Sequence, residues 1–365
     1  MIDISDVCIS PRHTLRAAML CIDRNCQGIA LVVDSEGRLL FTITDGDLRR
    51  AVLRGLSLEL TVEEWARQRA EPGNLHPVTV SVGTPPAELL RRMQAEGLRH
   101  IPLLDEAGRV VDLALLSEMV KEEHLNVSAV IMAGGSGTRL RPLTEETPKP
   151  MLPVCDRPIM EIIIQQLRDA GIKRVNVTTH YSGKKIIEHF GDGRQFGVEL
   201  TYVTEDRPLG TAGGLGLMDP PKETMLVING DILTRVNFRA LLAYHREHRA
   251  DLTVAVRQYD FQMPFGVIEC EGSSVRRLTE KPVLGFLVNT GIYLLEPVVH
   301  GFIPNGERFD MTDLIQRLLD EGRPVVGFPI HEYWLDIGHP ETYEQAQKDR
   351  AKWGMPQDYP SLPSR

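Results

Sequence analysis

The 365-residue sequence has no apolar run long enough to cross a bilayer and no excess of positive charge. A membrane-spanning helix needs about 20 consecutive apolar residues. The formal net charge is −9 at pH 7, whereas a non-specific nucleic-acid binder carries a basic face. The N-terminus has neither a basic start nor an apolar core, so it does not predict a signal peptide. We therefore expect a cytoplasmic protein that binds neither nucleic acid nor membranes.

Cysteine is scarce, with five residues that form no Cys-x-x-Cys pair and no zinc-like spacing. An odd number of cysteines without a secretion signal is typical of reduced, partly buried thiols in a cytoplasmic protein. We therefore expect neither a metal nor a redox role for Cys8, Cys21, Cys26, Cys155 and Cys270.

The first ~120 residues contain an internal repeat, found by aligning the chain with itself. Residues 10–40 align with residues 81–111 without a gap, and the best match is between 30–38 and 101–109. Each copy predicts a helix, a strand, a turn of the Asp-x-x-Gly-Arg type, a second strand and a closing helix. Because neither copy has enough residues to enclose a core alone, we expect the two to pack face to face.

This repeat resembles a tandem CBS module, a regulatory α+β fold that often binds adenine nucleotides between its copies. The Thr and Asp with which that family holds ribose and phosphate correspond to Thr44 and Asp47, whereas copy two has Leu115 and Glu118 there. Alternatively, Thr44 and Asp47 begin and cap the closing helix. Nucleotide sensing and dimerisation or scaffolding are therefore both open for the predicted domain, residues 1–123.

After a polar candidate linker at residues 121–126, strands alternate with helical patterns. We predict strands at 128–132, 174–178 and 200–204, an apolar run at 225–228, and helices near 159–170 and 184–190. This alternation favours an α/β domain with a mostly parallel sheet and helices on both faces, over residues 127–350. Ligands of such sheets bind beyond the carboxyl ends of the strands. A Pro-rich tail follows at 351–365.

Residues 131–153 are the most informative stretch of the chain. An apolar strand leads into a glycine-rich loop whose backbone N–H groups can approach phosphate oxygens without interference from Cβ atoms. Arg139 then offers a planar fork of donors and Lys149 a compact second charge. Leu140 stands where a dinucleotide-binding fingerprint needs glycine, and no Walker sequence is present. The sequence therefore predicts a phosphate site of another kind.

This pattern, a Gly-Gly loop, Gly-Thr-Arg-Leu, Pro-Leu-Thr and Pro-Lys-Pro, resembles the signature of the sugar-phosphate nucleotidyltransferases (nucleotide-diphosphosugar pyrophosphorylases) over about residues 127–349. The resemblance implies a Rossmann-like sheet and transfer of a nucleotidyl group from a nucleoside triphosphate to a sugar 1-phosphate. It implies that Arg139 stabilises the departing pyrophosphate and that Lys149 contacts the phosphates. The triphosphate would lie on Ala133, Gly134, Gly135, Gly137 and Thr138.

Two aspartates follow apolar strands in motifs that this family also carries. Asp231 ends the run Val-Ile-Asn-Gly-Asp, and Asp336 lies in Trp-Leu-Asp-Ile-Gly. Two carboxylates together with phosphate oxygens suit Mg²⁺, and the resemblance implies that these two residues hold it. A lone aspartate after a strand is more often a helix cap, but the pair beside the glycine loop favours the metal.

Three further motifs resemble the family's sugar-phosphate site: Phe-Gly-Val-Ile at 265–268, Glu-Lys-Pro at 280–282 and Asn-Thr-Gly-Ile-Tyr at 289–293. The resemblance implies that Lys281 pairs with the sugar phosphate and Glu280 accepts from sugar hydroxyls. It places Asn289 and Thr290 near the sugar, and Gly266 where the ring approaches the backbone. Alternatively, Glu280 and Lys281 form a surface ion pair of little energetic weight.

Residues 205–214 resemble the family's base-recognition loop, which places Glu205, Gly210 and Thr211 at the nucleotide. An ionised carboxylate only accepts hydrogen bonds, which suits the two neighbouring donors of guanine. Alternatively, Glu205 points to solvent while backbone groups read the base. We therefore expect a Mg²⁺-dependent, homo-oligomeric guanylyltransferase that uses GTP and a hexosamine, mannose or heptose 1-phosphate for surface glycan synthesis. Uridylyl or thymidylyl transfer, a catalytically silent regulatory relative and a nucleotide sensor are the alternatives.

Overall fold

A computed structural model of the chain describes residues 3–25, 27–68, 77–119, 126–135, 137–180 and 183–351. The chain folds as two compact units, residues 1–124 and 125–365. The predicted linker, except its last residue, and the predicted tail after residue 351 lie outside the described residues. Within these ranges, no helix is both long and apolar enough to cross a membrane.

The elements of the N-terminal unit recur at a spacing of 71 residues. Helix α4 begins at residue 86 against 15 for α1, β5 at 100 against 29 for β2, and β6 at 110 against 39 for β3. The predicted order of elements in both copies is therefore correct. The elements are β1 (Cys8–Ile9), α1 (Leu15–Asn25), β2 (Ile29–Val33), β3 (Leu39–Thr44), α2 (Asp45–Leu53), α3 (Val62–Gln68), β4 (Val80–Ser81), α4 (Pro86–Glu96), β5 (His100–Leu104), β6 (Val110–Leu115) and α5 (Leu116–Met119).

The two copies face each other across a pseudo-symmetric contact. Each forms a three-stranded sheet, in the orders β1-β2-β3 and β4-β5-β6. The Leu39 N–H donates to Gly108 O at 3.1 Å, and the Val110 N–H donates to Gly37 O at 3.1 Å. A shared apolar layer lies between the copies, and each copy also buries a cluster of its own. The shared layer consists of Val7, Ile29, Leu31, Leu113 and Leu115.

The C-terminal unit is built around a seven-stranded sheet. Its elements are β7 (Val127–Met132), β8 (Pro153–Val154), β9 (Arg157–Pro158), α6 (Ile159–Asp169), β10 (Arg174–Thr179), α7 (Gly183–Phe190), β11 (Glu199–Thr204), α8 (Gly210–Gly213), β12 (Thr224–Asn229), β13 (Ile232–Thr234), α9 (Phe238–Glu247), β14 (Leu252–Gln262), β15 (Val267–Glu271), β16 (Ser274–Thr279), β17 (Val283–Leu295), α10 (Met311–Asp320), β18 (Val325–Ile330), β19 (Trp334–Asp336) and α11 (Pro340–Arg350). Short 3-10 helices lie between them, among them Thr138–Leu140 and Lys149–Met151.

The sheet has the order β11-β10-β7-β12-β17-β14-β18. Only β17 runs against its neighbours, and the other pairings are parallel. Helices α6, α7 and α9 pack on one face through side chains such as Ile163, Phe190 and Leu241. Helix α10 packs on the other face through Leu314 and Leu318. The predicted fold class, a mostly parallel α/β sheet after an α+β repeat module, is therefore confirmed.

The register of the central strands determines where the functional loops meet. Met132, the last residue of β7, lies beside Thr178 of β10 and Asn229 of β12. Because these strands are parallel, their carboxyl ends share one edge of the sheet. The glycine-rich loop after β7 and the Gly-Asp turn after β12 therefore begin side by side.

Candidate active site

The loop after β7 is fixed at two points, at its first residue Ala133 and at Leu140, three residues after its last glycine. The buried Ala133 N–H donates to Thr178 O at 3.0 Å, so this donor is already committed within the protein. Gly137 has a φ of +64°, which suits glycine, and caps the 3-10 helix Thr138–Leu140. Leu140 is buried, whereas Arg139 is exposed. The chain thus presents the guanidinium at the sheet edge while its neighbour anchors the turn.

Lys149 lies within this edge rather than on the surface. Lys149 is only 8% exposed, and it begins the 3-10 helix Lys149–Met151 directly after Pro148. A Cβ atom placed on Gly137 would lie 3.4 Å from the Cβ of Lys149, so the lysine packs against the glycine loop. Its Nζ donates to Oδ2 of Asp231.

Asp231 and Asp336 reach the same place from different parts of the chain. Strands β13 and β19 pair antiparallel with Ile232 opposite Asp336, and the Ile337 N–H donates to Asp231 O at 3.0 Å. Gly230 permits the turn that precedes Asp231, because a Cβ there would lie 2.9 Å from Met132 O. The two predicted metal ligands are therefore neighbours, although more than a hundred residues separate them in sequence.

The charges around these carboxylates interact. The pKa of Asp336 is raised by desolvation first and by the negative charge of Asp231 second. The positive charges of Lys149 and Arg139 oppose that rise. A Cβ on Gly338 would lie 3.3 Å from Oδ1 of Asp336 and 3.7 Å from Nη1 of Arg139, so these groups also share one space. The site therefore combines two close carboxylates with two cationic side chains.

These carboxylates suit a divalent cation. Oδ1 of Asp231 is buried and has no hydrogen-bond partner among the described residues, which leaves one oxygen free to bind an ion. No group of three or more His, Cys, Asp and Glu residues that could hold a metal occurs in the part of the chain that the structure describes. Mg²⁺ is commonly bound by one or two carboxylates together with waters and substrate phosphates, and the two carboxylates here match that pattern.

Glu205 is buried beside the glycine loop and does not point to solvent. It is 4% exposed, and its Oε2 accepts from the Leu209 N–H at 3.0 Å. Cβ atoms on Gly134 and Gly214 would lie 3.0 and 2.8 Å from its Oε1, so both glycines are needed to admit the carboxylate. Burial raises the pKa of Glu205, which the Leu209 hydrogen bond partly offsets. The solvent-facing alternative is therefore excluded, while contact with a base remains a prediction.

Gly210 and Thr211 contact the segment before α10. The Thr211 N–H donates to Oδ1 of Asp310 at 2.9 Å, and its hydroxyl accepts from the Met311 N–H at 2.8 Å. Gly210 has a φ of +82°, and a Cβ there would lie 2.5 Å from Oδ1 of Asp310. Both residues thus fix the segment after β11 in place, and their contact with a nucleotide stays a prediction.

The residues predicted for the sugar phosphate lie farther along the chain, on β15–β17. Glu280 covers Gly266, since a Cβ on that glycine would lie 2.9 Å from Oε2 of Glu280. Both Glu280 and Lys281 are exposed. Lys281 has a φ of +44°, which is unusual for a residue with a long side chain. Backbone strain of this kind is concentrated at functional sites.

Asn289 and Thr290 differ in what they offer to a ligand. Asn289 is exposed, with its Oδ1 accepting from the Gly291 N–H at 3.0 Å. The Thr290 side chain is buried, and its hydroxyl donates to Ala255 O at 2.7 Å. Its carbonyl accepts from Nε1 of Trp334 at 2.8 Å. Thr290 therefore ties β17 to β14 and to the strand that carries Asp336.

Sequence reasoning missed three residues that support these groups. Trp334 links β19 to Thr290, Asp310 holds the loop at Thr211, and Nδ1 of His180 lies 2.8 Å from Glu205 O. A signal existed for Trp334, which lies two residues before Asp336. Asp310 begins α10 with a capping box and resembles any other helix cap in sequence.

The predicted CBS ligand residues form a capping box. The Asp47 N–H donates to Oγ1 of Thr44 at 3.2 Å, and Oδ2 of Asp47 accepts from the Thr44 N–H at 3.0 Å. Nη2 of Arg50 donates to Oδ1 of Asp47 at 2.9 Å. The structural alternative, that these residues cap the closing helix α2, is therefore correct. Binding of an adenine nucleotide there stays a prediction.

Comparison with known families supports the resemblance read from the motifs. The model of the nucleotidyl transferase family matches residues 128–352, more than half of the chain. The chain belongs to the nucleotidyl transferase family. A CBS domain model matches residues 73–124, which contain the second copy of the repeat.

Relatives in this family transfer different nucleotides. The chain is 34% identical over 237 residues to a mannose-1-phosphate guanylyltransferase of Mycobacterium tuberculosis, covering 61% of this chain and 64% of that protein. It is 32% identical over 241 residues to a UTP–glucose-1-phosphate uridylyltransferase of Synechocystis, covering 60% and 62%. The chain thus spans less than two thirds of the length of these relatives.

One solved structure supports the fold of this family member. A putative glucose-1-phosphate thymidylyltransferase from Bacillus anthracis, in complex with a sucrose, superposes with a TM-score of 0.52 at 25% identity. The match covers 64% of this chain and 98% of that one.

Proposed function

We propose that this protein transfers a nucleotidyl group from a nucleoside triphosphate to a sugar 1-phosphate, giving a nucleotide sugar and pyrophosphate. The observation that carries the proposal is the convergence of Arg139, Lys149, Asp231 and Asp336 beside the glycine loop. Two anions must meet in this reaction, so a site that brings cationic groups to one point supplies what the chemistry needs.

The reaction requires no base from the protein. An oxygen of the sugar phosphate forms a bond to the α-phosphorus, while the bond from that phosphorus to the bridging β-oxygen breaks and its electron pair leaves on pyrophosphate. Arg139, exposed at the loop, would stabilise the leaving group, and Lys149 the phosphates undergoing exchange. The glycine loop would orient the triphosphate through its backbone. Positioning and charge stabilisation therefore account for catalysis.

Asp231 and Asp336 would hold Mg²⁺, which when bound neutralises phosphate charge and orients the reacting groups. The buried, unpaired Oδ1 of Asp231 supports this assignment. The ammonium of Lys149 on the other oxygen of Asp231 keeps the local charge balanced.

For the base, we propose guanine, read in part by Glu205. Its buried carboxylate lies against the glycine loop, and an ionised carboxylate accepts from the two adjacent donors of guanine. The guanylyltransferase relative supports this choice, and the uridylyltransferase relative gives the competing one. The acceptor would be a hexosamine, mannose or heptose 1-phosphate, with the nucleotide sugar feeding surface glycan synthesis.

Pyrophosphate release by the purified chain tests both the proposed activity and the proposed choice of base. We would cross GTP, UTP, dTTP, CTP and ATP with a panel of sugar 1-phosphates, with and without Mg²⁺. Release with GTP and one sugar is the expected result. Release with UTP or dTTP instead would retain the enzyme and overturn the guanine assignment. Release that is unchanged by chelating the metal would overturn the role given to Asp231 and Asp336.

A further inference from the structure

The hairpin β8–β9 begins four residues after Lys149, and its own strands hold it only weakly. Each strand has two residues, and Pro153 lies opposite Pro158. Proline has no backbone N–H, so neither member of that pair can donate to the other. Cys155, in the turn, has a φ of +57°, a conformation that a residue with a Cβ keeps only where its surroundings enforce it. The hairpin therefore depends on contacts with the rest of the unit.

Helix α11 supplies such contacts through two partly buried side chains, Tyr343 and Gln347. The Tyr343 hydroxyl donates to Pro153 O at 2.6 Å, and Nε2 of Gln347 donates to the same oxygen at 2.7 Å. The Cys155 N–H donates to Oε1 of Gln347 at 2.6 Å. Both lone pairs of the Pro153 carbonyl are thus engaged. One helix therefore fixes both the first strand of the hairpin and its turn.

The segment between this hairpin and Lys149 is short and closed. The Leu152 N–H donates to Lys149 O at 3.1 Å, and the Leu152 side chain is buried. Pro153 follows directly. At the other end, Nζ of Lys149 donates to Oδ2 of Asp231. A displacement of Pro153 would therefore move the backbone of Lys149 and, with it, the ammonium group.

The same helix is fixed at its beginning to the strand that carries Asp336. It begins at Pro340, four residues after that aspartate. Between them, Ile337 is buried, and its N–H donates to Asp231 O at 3.0 Å. Helix α11 therefore connects the two carboxylates, near its first turn, with the Lys149 segment, which its later turns contact.

We propose that Tyr343 and Gln347 are positioning residues, which place the ammonium of Lys149 relative to the carboxylates of Asp231 and Asp336 by holding the hairpin β8–β9. The effect of this positioning on turnover rests on the proposed function. A misplacement of about 1 Å at a reacting centre can lower a rate about 10²-fold. Because neither side chain is assigned a contact with substrate, their effect passes through Lys149.

The first measurement is kcat for pyrophosphate release by Tyr343→Phe with Gln347→Met. These substitutions remove the three hydrogen bonds and leave the side chains close to their original size. Gln345→Met is the matched control, since Gln345 is exposed on the same helix and its carboxamide donates within the helix to Asp349 at 2.7 Å. We expect kcat to fall at least about tenfold in the double variant and to stay within about twofold in the control.

The second measurement repeats the substitutions in a chain that carries Lys149→Ala. There the double substitution should change kcat by less than about twofold, because the group that it positions is absent. A loss of the same size in both backgrounds would show a general structural role and overturn the proposal, as would an unchanged kcat in the presence of Lys149. If the double variant fails to fold by circular dichroism, Tyr343→Phe alone takes its place, with a smaller loss that should again be absent in Lys149→Ala.

Hydrogen exchange separates this positioning from the proposed activity. If the wild type releases no pyrophosphate with any pair of substrates, the proposed function fails, and exchange then decides the positioning alone. The Leu152 amide, which donates to Lys149 O, should exchange at least about tenfold faster in Gln347→Met than in Gln345→Met. Equal exchange rates in the two variants would show that α11 does not hold the Lys149 segment.

Discussion

Two aspartates that the sequence predicts to bind ligands lie in different surroundings: Asp231 at the carboxyl edge of the seven-stranded sheet, and Asp47 in the first turn of α2. At the edge, Oδ1 of Asp231 is buried without a partner, and Oδ2 accepts from Lys149. In α2, both oxygens of Asp47 accept hydrogen bonds from Thr44 and Arg50. An unsatisfied buried oxygen costs about 1–3 kcal/mol. A ligand that binds the unpaired oxygen of Asp231 would account for this cost. The carboxylate of Asp47 already has its hydrogen-bond partners within the protein, so its contribution to stability is enough to account for its presence.

The same distinction separates other candidates. Hydrogen bonds inside the protein engage the hydroxyls of Thr211 and Thr290, while Arg139 and Lys281 are exposed. Motif resemblance ranked all of these residues alike. The contrast predicts that substitutions at unsatisfied or exposed positions change activity, whereas those at saturated positions change stability.

The largest expected effect is at Asp231. Asp231→Asn removes the charge that would hold the metal, so we expect kcat to fall roughly 10³-fold. The melting temperature should also fall, since the substitution leaves the buried ammonium of Lys149 without its charged partner. Pyrophosphate release and thermal unfolding measure the two effects. Asp320→Asn, at an exposed position on α10, is the matched control. If Asp231→Asn kept nearly the wild-type turnover, the unpaired oxygen of Asp231 would not mark a functional aspartate, and the comparison with Asp47 would fail.

His100 gives the opposite case, a buried group that contacts the protein itself and is expected to control stability. Its Nε2 lies 2.6 Å from Gln27 O, and burial lowers its pKa to about 4, with the charge of Arg99 adding to the effect. The unfolded chain binds a proton below about pH 6.5, whereas the folded protein does not until about pH 4. Stability is therefore lost as the pH falls through this window.

At pH 5 this loss amounts to about 2 kcal/mol relative to pH 7.5. Urea unfolding of the wild type and of His100→Gln at both pH values isolates the contribution of His100 to the free energy of unfolding, because the other titrating groups are common to both proteins. We expect the variant to lose less stability between the two pH values. Equal losses would show that His100 is not buried in its neutral form.

Much of the fold could be predicted because its signals are local. The repeat at residues 10–40 and 81–111, the alternating strands and helices, and the strand before each functional loop are all read from apolar periodicity. The antiparallel insertion of β17 was not predicted, because strand order depends on long-range pairing that periodicity does not encode. The pairing of residues 256–262 with 283–289, beyond the other strands of the sheet, was missed for the same reason.

The candidate site shows the same limit. Motifs nominated Asp231 and Asp336, and pairing of β13 with β19 brings them together. Motifs could not distinguish the buried Thr290 from the exposed Asn289, since their side chains lie on alternate faces of one strand. Burial of Glu205 depends on Gly134 and Gly214, which approach it from two other segments of the chain.

On the sugar side, Lys281 tests whether an exposed cation is functional. We expect Lys281→Ala to raise the KM for the sugar 1-phosphate about tenfold, because a charge-assisted contact with phosphate is lost. The KM for the nucleoside triphosphate should stay within about twofold, as the triphosphate would contact other residues. Initial rates with each substrate varied in turn give both constants. Arg277→Ala, four residues earlier on β16 and also exposed, is the control. Equal losses for both substrates would indicate a structural role.

The smallest expected effect is at Asp47. Asp47→Ala removes the capping box of α2 and the pairing with Arg50, so we expect a loss of about 1 kcal/mol in the free energy of unfolding. Glu88→Ala, in the first turn of α4, should cost less, since the N-cap of that helix is Pro85, which makes no side-chain capping hydrogen bond. Turnover in the absence of adenine nucleotides should be unchanged in both variants. Calorimetric titration with AMP and ATP then decides the remaining prediction. Suppose that the wild type binds either nucleotide and a folded Asp47→Ala does not. The carboxylate of Asp47 would then have to exchange its hydrogen bonds within the protein for hydrogen bonds to the ligand. In that case, hydrogen bonding within the protein would no longer distinguish a structural aspartate such as Asp47 from a functional one such as Asp231.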